Sequence, residues 1–141
     1  MLFVPKRHKF KKYHRPKPIR RIYKKTSYPI LSTGVIGLKI LSFGFITSNQ
    51  FKTASQLINK VIKRLGTAQF FAFPNASVTV TAKASRMGKR KGAIDHWVYK
   101  VQPGFILCEI NTPNLNVGVK ALKCVQFRLP VPTKIILSTF K

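Results

Sequence analysis

The chain has 141 residues, 45% of them hydrophobic, and its 27 lysines and arginines face only two carboxylates, Asp95 and Glu109. A formal charge of +25 repels itself and calls for a polyanion, most simply nucleic acid bound through its phosphates with release of counterions. The hydrophobic share excludes a wholly disordered polybasic chain, and the longest apolar stretch, Val35 to Ile46, is broken by Lys39 and falls short of the roughly 20 residues of a bilayer span.

Residues 1 to 28 read as a basic arm. Eleven cations lie between Lys6 and Lys25, and no acid precedes Asp95. Pro16 and Pro18 forbid a continuous helix. Lys6, Arg7, Lys9, Lys11, Lys12, Arg15, Arg20, Arg21, Lys24 and Lys25 are the candidate phosphate contacts, and Phe10, Tyr13, His14 and Tyr23 are flat rings placed among them to stack on exposed bases. Such an arm is expected to be disordered alone and to order on RNA. A mitochondrial import sequence is a competing reading. The prolines and the scarcity of hydroxyl residues before Thr26 weigh against it.

Residues 29 to 141 read as one α+β domain. The run from 30 to 46 is β-branched and aromatic and reads as extended. Thr47 and Gln50 form a capping box that opens a helix. Phe51, Ala54, Ile58, Val61, Ile62 and Leu65 recur at helical spacing as its buried stripe, and Gly66 is placed to end it. Lys52, Gln56, Asn59, Lys60 and Lys63 occupy the other face, which no carboxylate balances; RNA is the reading favoured for it over bare solvent.

The segment from 68 to 74 reads as a buried strand ended by Pro74, followed by an alternating strand from Ser77. Arg86 to Gly92 is then a basic loop with Gly88 and Gly92 at either end of Lys89, Arg90 and Lys91; the spacing is not that of a P-loop. Its glycines let backbone approach a phosphate or base closely. A hairpin follows, turning at Pro103-Gly104. Thr112 and Pro113 suit the cap and first residue of a second helix, whose stripe is Leu115, Val119, Leu122, Val125 and Leu129 before Pro130 stops it. A last strand starts near Thr133. The order predicts two helices packed on one face of a mixed or antiparallel sheet.

Catalysis has little to work with, and the chain reads as no enzyme. Asp95 and His96 are neighbours, so on a regular strand they point to opposite faces. Glu109 lies in the hairpin and is expected beside a cation. Cys108 and Cys124 lack CxxC spacing and read as small buried hydrophobes; neither a metal site nor a cofactor loop is in evidence.

In chain order these residues resemble the bacterial-type ribosomal protein sixteen of the large subunit, the counterpart of eukaryotic and archaeal protein ten. The opening MLFVPKRHKF resembles the family's M-L-x-P-K-R-x-K-F with one residue added. Gly37-Leu38-Lys39 and the helix start at Ile46-Thr47 match, VIKRLG (61 to 66) resembles V-K-R-x-G, and FAFP (71 to 74) resembles R-V-F-P. RMGKRKG with Trp97 is similar to R-M-G-K-G-K-G and its following Trp. Gln102-Pro103-Gly104, Leu107-Cys108-Glu109, and Leu129-Pro130 with Thr133 complete the series.

The resemblance implies a structural protein of the large subunit that binds its ribosomal RNA near the aminoacyl-tRNA site. Its implied partners are that RNA, tRNA and neighbouring ribosomal proteins, with no cofactor, membrane or small-molecule substrate. It assigns Arg86, Met87, Gly88, Lys89, Arg90, Lys91 and Gly92 to a loop facing tRNA and the peptidyl-transferase centre. It assigns Lys6, Arg7 and Lys9 to RNA contact, and Arg64 joins Lys60 and Lys63 at the matching helix end. The chain departs from the pattern at Arg90, which replaces a glycine, at Pro16 and Pro18, and in helices without acids.

The family's opening falls at Met1, and lysine, phenylalanine and isoleucine abound, as A/T-rich codons would give. Both features lead us to expect an organelle-encoded protein of the mitochondrial ribosome, with a chloroplast or a reduced bacterium as alternatives. A stand-alone RNA-binding assembly factor or regulator, and a cationic membrane-active protein, are the rival functions.

Overall fold

The computed structural model describes residues 3–6, 9–14, 31–32, 34–81, 88 and 91–138. Arg7, Arg15, Arg20, Arg21, Lys24, Lys25, Arg86, Met87, Lys89 and Arg90 lie outside the described residues.

The chain order is β1 (Ile36–Ile40), β2 (Gly44–Thr47), α1 (Ser48–Ile62), β3 (Thr67–Phe70), β4 (Ala76–Val80), β5 (Ala93–Val101), β6 (Ile106–Asn111), α2 (Leu115–Gln126) and β7 (Thr133–Leu137). The α+β expectation holds, but the strands form two sheets rather than one. A four-stranded sheet runs β3-β6-β1-β7, and a three-stranded sheet runs β2-β5-β4. Every pairing is antiparallel. The extended run is therefore split: the chain breaks at residues 41 to 43, so β1 joins one sheet and β2 the other.

Ile36, Leu38, Ile40, Leu107, Cys108 and Ile110 are sealed from solvent in β1 and β6 and share one core with the buried residues of both helices. α1 and α2 pack on each other; α1 also meets β2, β3 and β5, while α2 meets β1 and β7. Gly118 allows that last approach, since a Cβ there would strike the Ile36 side chain.

α1 starts as its sequence demands. The Thr47 hydroxyl accepts from the Gln50 amide at 3.3 Å, and the Gln50 carboxamide accepts from the Thr47 amide at 2.8 Å. Phe51, Ala54, Ile58 and Ile62 are buried, and Val61 is half-buried. Leu65, predicted to continue the stripe, lies past the helix end and is 60% exposed. The predicted stop at Gly66 is also displaced. The helix ends in a left-handed Lys63 (φ 48°), whose amide donates to Asn59 O, and Arg64 is left-handed too (φ 71°). Gly66 serves a different need: a Cβ there would collide with Asn111 O and Thr112.

Other boundaries shift for local reasons. The predicted buried strand from 68 to 74 ends at Phe70, and Phe71 and Phe73 are exposed in the connection to β4. α2 is capped by Asn114 rather than Thr112, whose hydroxyl donates to Asn114 O at 3.0 Å and so shapes the approach to the helix. Leu115 of the predicted stripe is exposed; Gly118, Ala121, Leu122 and Val125 are the buried face. Gly104, at φ 87°, adopts the conformation predicted for the Pro103-Gly104 turn.

Candidate nucleic-acid interface

The arm begins as part of the core. Phe3 is 7% exposed, stacks on Phe51 at 5.6 Å between centroids and meets Phe70 edge-on at 5.7 Å. The chain then crosses to the three-stranded sheet. There Ser77, buried in β4, donates its hydroxyl to Lys11 O at 2.5 Å. Lys12 donates its ammonium to Lys91 O at 3.0 Å. The described arm residues thus rest on the domain, while most of the expected free tail lies outside the described residues. Ser77 carried no signal in the sequence, because its partner lies 66 residues away.

These contacts bring the arm to the foot of the basic loop. β4 and β5 are paired to their ends, Val80 opposite Ala93, so the segment between them leaves and re-enters the sheet at one place. Gly92 is required at that neck, where a Cβ would overlap the Val80 carbonyl. Lys9, Lys11, Lys12, Gly88 and Lys91 are exposed, and so is Lys6 nearer the start of the arm. Lys60, Lys63 and Arg64 are exposed at the end of α1, a second cationic group on a different element.

The two acids lie on the sheets themselves, Asp95 on β5 and Glu109 on β6. Glu109 is 3% exposed on β6, and its carboxylate accepts from Gly34 N at 2.9 Å, Ser32 N at 3.1 Å and Ser32 Oγ at 3.4 Å. Two backbone amides and a hydroxyl are thus among its partners. Burial in this sheet, with Glu109 adjacent, pushes the Cys108 thiol up to about 12. Burial likewise raises the Tyr99 phenol. Cys108 is sealed and Cys124 half-buried, and both thiols are free.

Asp95 and His96 depart from the alternation expected of them. The β4–β5 register slips between Val78, opposite His96, and Thr79, opposite Ile94. Asp95 is the extra residue of this bulge, which turns the neighbouring side chains toward each other. His96 Nδ1 lies 2.7 Å from Asp95 Oδ2. Among the described residues no cluster of His, Cys, Asp and Glu could hold a metal, and no helix is long and apolar enough to cross a membrane.

A compact domain with a docked basic arm, a closed loop neck and cations that outnumber acids is an RNA-binding protein in architecture and charge. The model of the ribosomal protein L16p/L10e family matches residues 5–136, and the chain belongs to that family. It is 36% identical over 135 residues to large ribosomal subunit protein uL16c of Euglena longa, covering 96% of this chain and 98% of the relative. It is 39% identical over 136 residues to the uL16c protein of Thalassiosira pseudonana, covering 96% and 97%. The uL16c protein of Euglena gracilis is 36% identical over 139 residues, covering 96% and 98%. The chain is a structural constituent of the large ribosomal subunit, not an enzyme, and its partners are ribosomal RNA and other ribosomal proteins. The relatives are organellar, chloroplast forms, which supports an organellar ribosome.

Proposed function

We propose that this protein carries its basic loop, Arg86 to Gly92, to the tRNA side of the large subunit, near the aminoacyl-tRNA site and the peptidyl-transferase centre. The arm, with Lys6, Arg7, Lys9, Lys11, Lys12, Arg15, Arg20, Arg21, Lys24 and Lys25, and the α1 end, with Lys60, Lys63 and Arg64, hold ribosomal RNA. The observation that carries the reading is the paired, glycine-closed neck at Val80, Gly92 and Ala93, with Lys12 tied to Lys91 O beside it. A segment anchored this way is free to be specialised without disturbing the sheet beneath. Arginines in it suit phosphate forks and base stacking better than lysines do. The ribosome in question is mitochondrial, a reading supported by the abundance of lysine, phenylalanine and isoleucine, whose codons are A/T-rich; the relatives support an organelle without choosing between the two kinds.

The test replaces Lys89, Arg90 and Lys91 together by alanine. The mutant protein is expected to fold and to sediment with the large subunit at high salt, because the arm and helix end supply the anchoring charge. Its particles should be slow in aminoacyl-tRNA accommodation or peptide-bond formation. Normal rates would defeat the tRNA role, and failure to assemble would make the loop an RNA anchor instead. Recovery of the chain in plastid rather than mitochondrial large subunits would overturn the localisation.

A further inference from the structure

We propose that Phe10 is a stacking platform for one unpaired base of the large-subunit ribosomal RNA. The proposal rests on the RNA-binding character of the family and not on the tRNA reading of the loop. Phe10 is 73% exposed, with an ammonium from Lys9 6.0 Å from its ring centroid and exposed Lys11 and Lys12 following it. An aromatic ring standing in water among cations is poorly placed for the free protein. It is well placed for a nucleotide, whose phosphates the lysines take while the ring takes the base.

What distinguishes this ring from an incidental exposed side chain is how its backbone is held. The next residue, Lys11, has its carbonyl fixed by buried Ser77, and Lys12 is tied to Lys91 O. Upstream, Phe3 is packed into the core against Phe51 and Phe70. The arm is therefore fastened on both sides of Phe10, which limits the ordering cost of stacking. Neither fastening buries the ring. A duplex presents no free base face along its length, so the recognised partner is a single-stranded loop, bulge or end.

The experiment uses the full chain and two probes of equal charge, a single-stranded RNA and an RNA duplex, with inorganic polyphosphate as a phosphate-only control. Phe10→Leu should weaken single-strand binding by about 5- to 150-fold, the worth of one stacked base, and leave duplex binding unchanged. Its slope of log affinity against log salt should match the parent, because no phosphate contact is lost, whereas Lys11→Ala should lower the slope by about 0.7. Trp97 is the only tryptophan, so Phe10→Trp in a Trp97→Phe background gives a reporter at the site. Its fluorescence should be quenched by the single strand and not by polyphosphate. Equal affinity of Phe10→Leu and parent for the single strand, or equal quenching by polyphosphate, overturns the proposal. So does a variant that binds RNA normally but is lost from the subunit, which would place a protein against the ring.

Discussion

The two sheets divide the work of the molecule. In the four-stranded sheet, β6 is buried from Ile106 to Ile110, β1 is sealed except at Lys39, and the one acid there is capped by amides and a hydroxyl. In the three-stranded sheet, β5 buries only Val98 and Val101, carries a bulge at Asp95, and closes the neck of the basic loop. The arm docks on the second sheet, through Ser77 of β4. Burial and exposed charge are thus separated: one sheet supplies the frame, and the other carries the docked arm, the loop neck and irregular backbone, the face proposed to meet RNA.

Substitution in the frame should cost the most. Ile58 of α1 is fully buried in the core, and Ile58→Ala should destabilise by about 2–5 kcal/mol, read as a lower urea midpoint with an unchanged slope. An equal loss from Lys60→Ala, on the exposed face of the same helix, would erase the distinction between frame and surface.

A smaller effect of opposite sign is expected where the backbone is strained at the end of α1. Lys63 and Arg64 sit consecutively at positive φ, a conformation that favours glycine. Lys63→Gly should raise stability by about 0.5–1 kcal/mol in a thermal melt, since the strain relieved exceeds the added freedom of the unfolded chain. The same variant should bind ribosomal RNA less tightly. Stability and affinity falling together would mean that Lys63 belongs to the frame.

The narrowest effect concerns pH, because it shows only in alkaline solution. The Cys108 thiol is held at about 12 in the fold against 9.0 normally. The folded state therefore keeps a proton that the unfolded chain loses above pH 9. The associated stability is intact below pH 9 and is lost between about 9 and 12. A Cys108→Ser control removes most of that slope, and thiol reagents at pH 8 should label Cys124 well before Cys108. Rapid labelling of Cys108 in the native protein would show that the frame is less closed than β6 indicates.

Much of the frame is legible in the sequence because it rests on local chemistry. Thr47 and Gln50 announce the start of α1, Pro103-Gly104 the turn before β6, and the Ile and Leu spacing the buried helix faces. The end of α1 is not legible, because Gly66 is committed to a close approach to Asn111 and Thr112, segments far away in sequence. The division into two sheets depends on a break at residues 41 to 43 inside a continuously β-favouring run. The cationic surface is evident from composition alone. Its anchorage is not: Phe3 stands before a charge run yet belongs to the core, and Ser77 holds the arm through one hydroxyl. The closeness of Asp95 and His96 depends on a bulge that periodicity cannot foresee.

The separation of frame from interface is tested most directly by comparing two triple variants in their binding to large-subunit ribosomal RNA across a salt series. One replaces Lys11, Lys12 and Lys91 by alanine, at the arm and loop neck. The other replaces Lys120, Lys123 and Lys134, exposed on α2 and β7 beside the four-stranded sheet. At about 0.9 per phosphate contact, the first should flatten the slope of log affinity against log salt by about 2 to 3, and the second by less than about 1. Equal flattening by both would contradict the account.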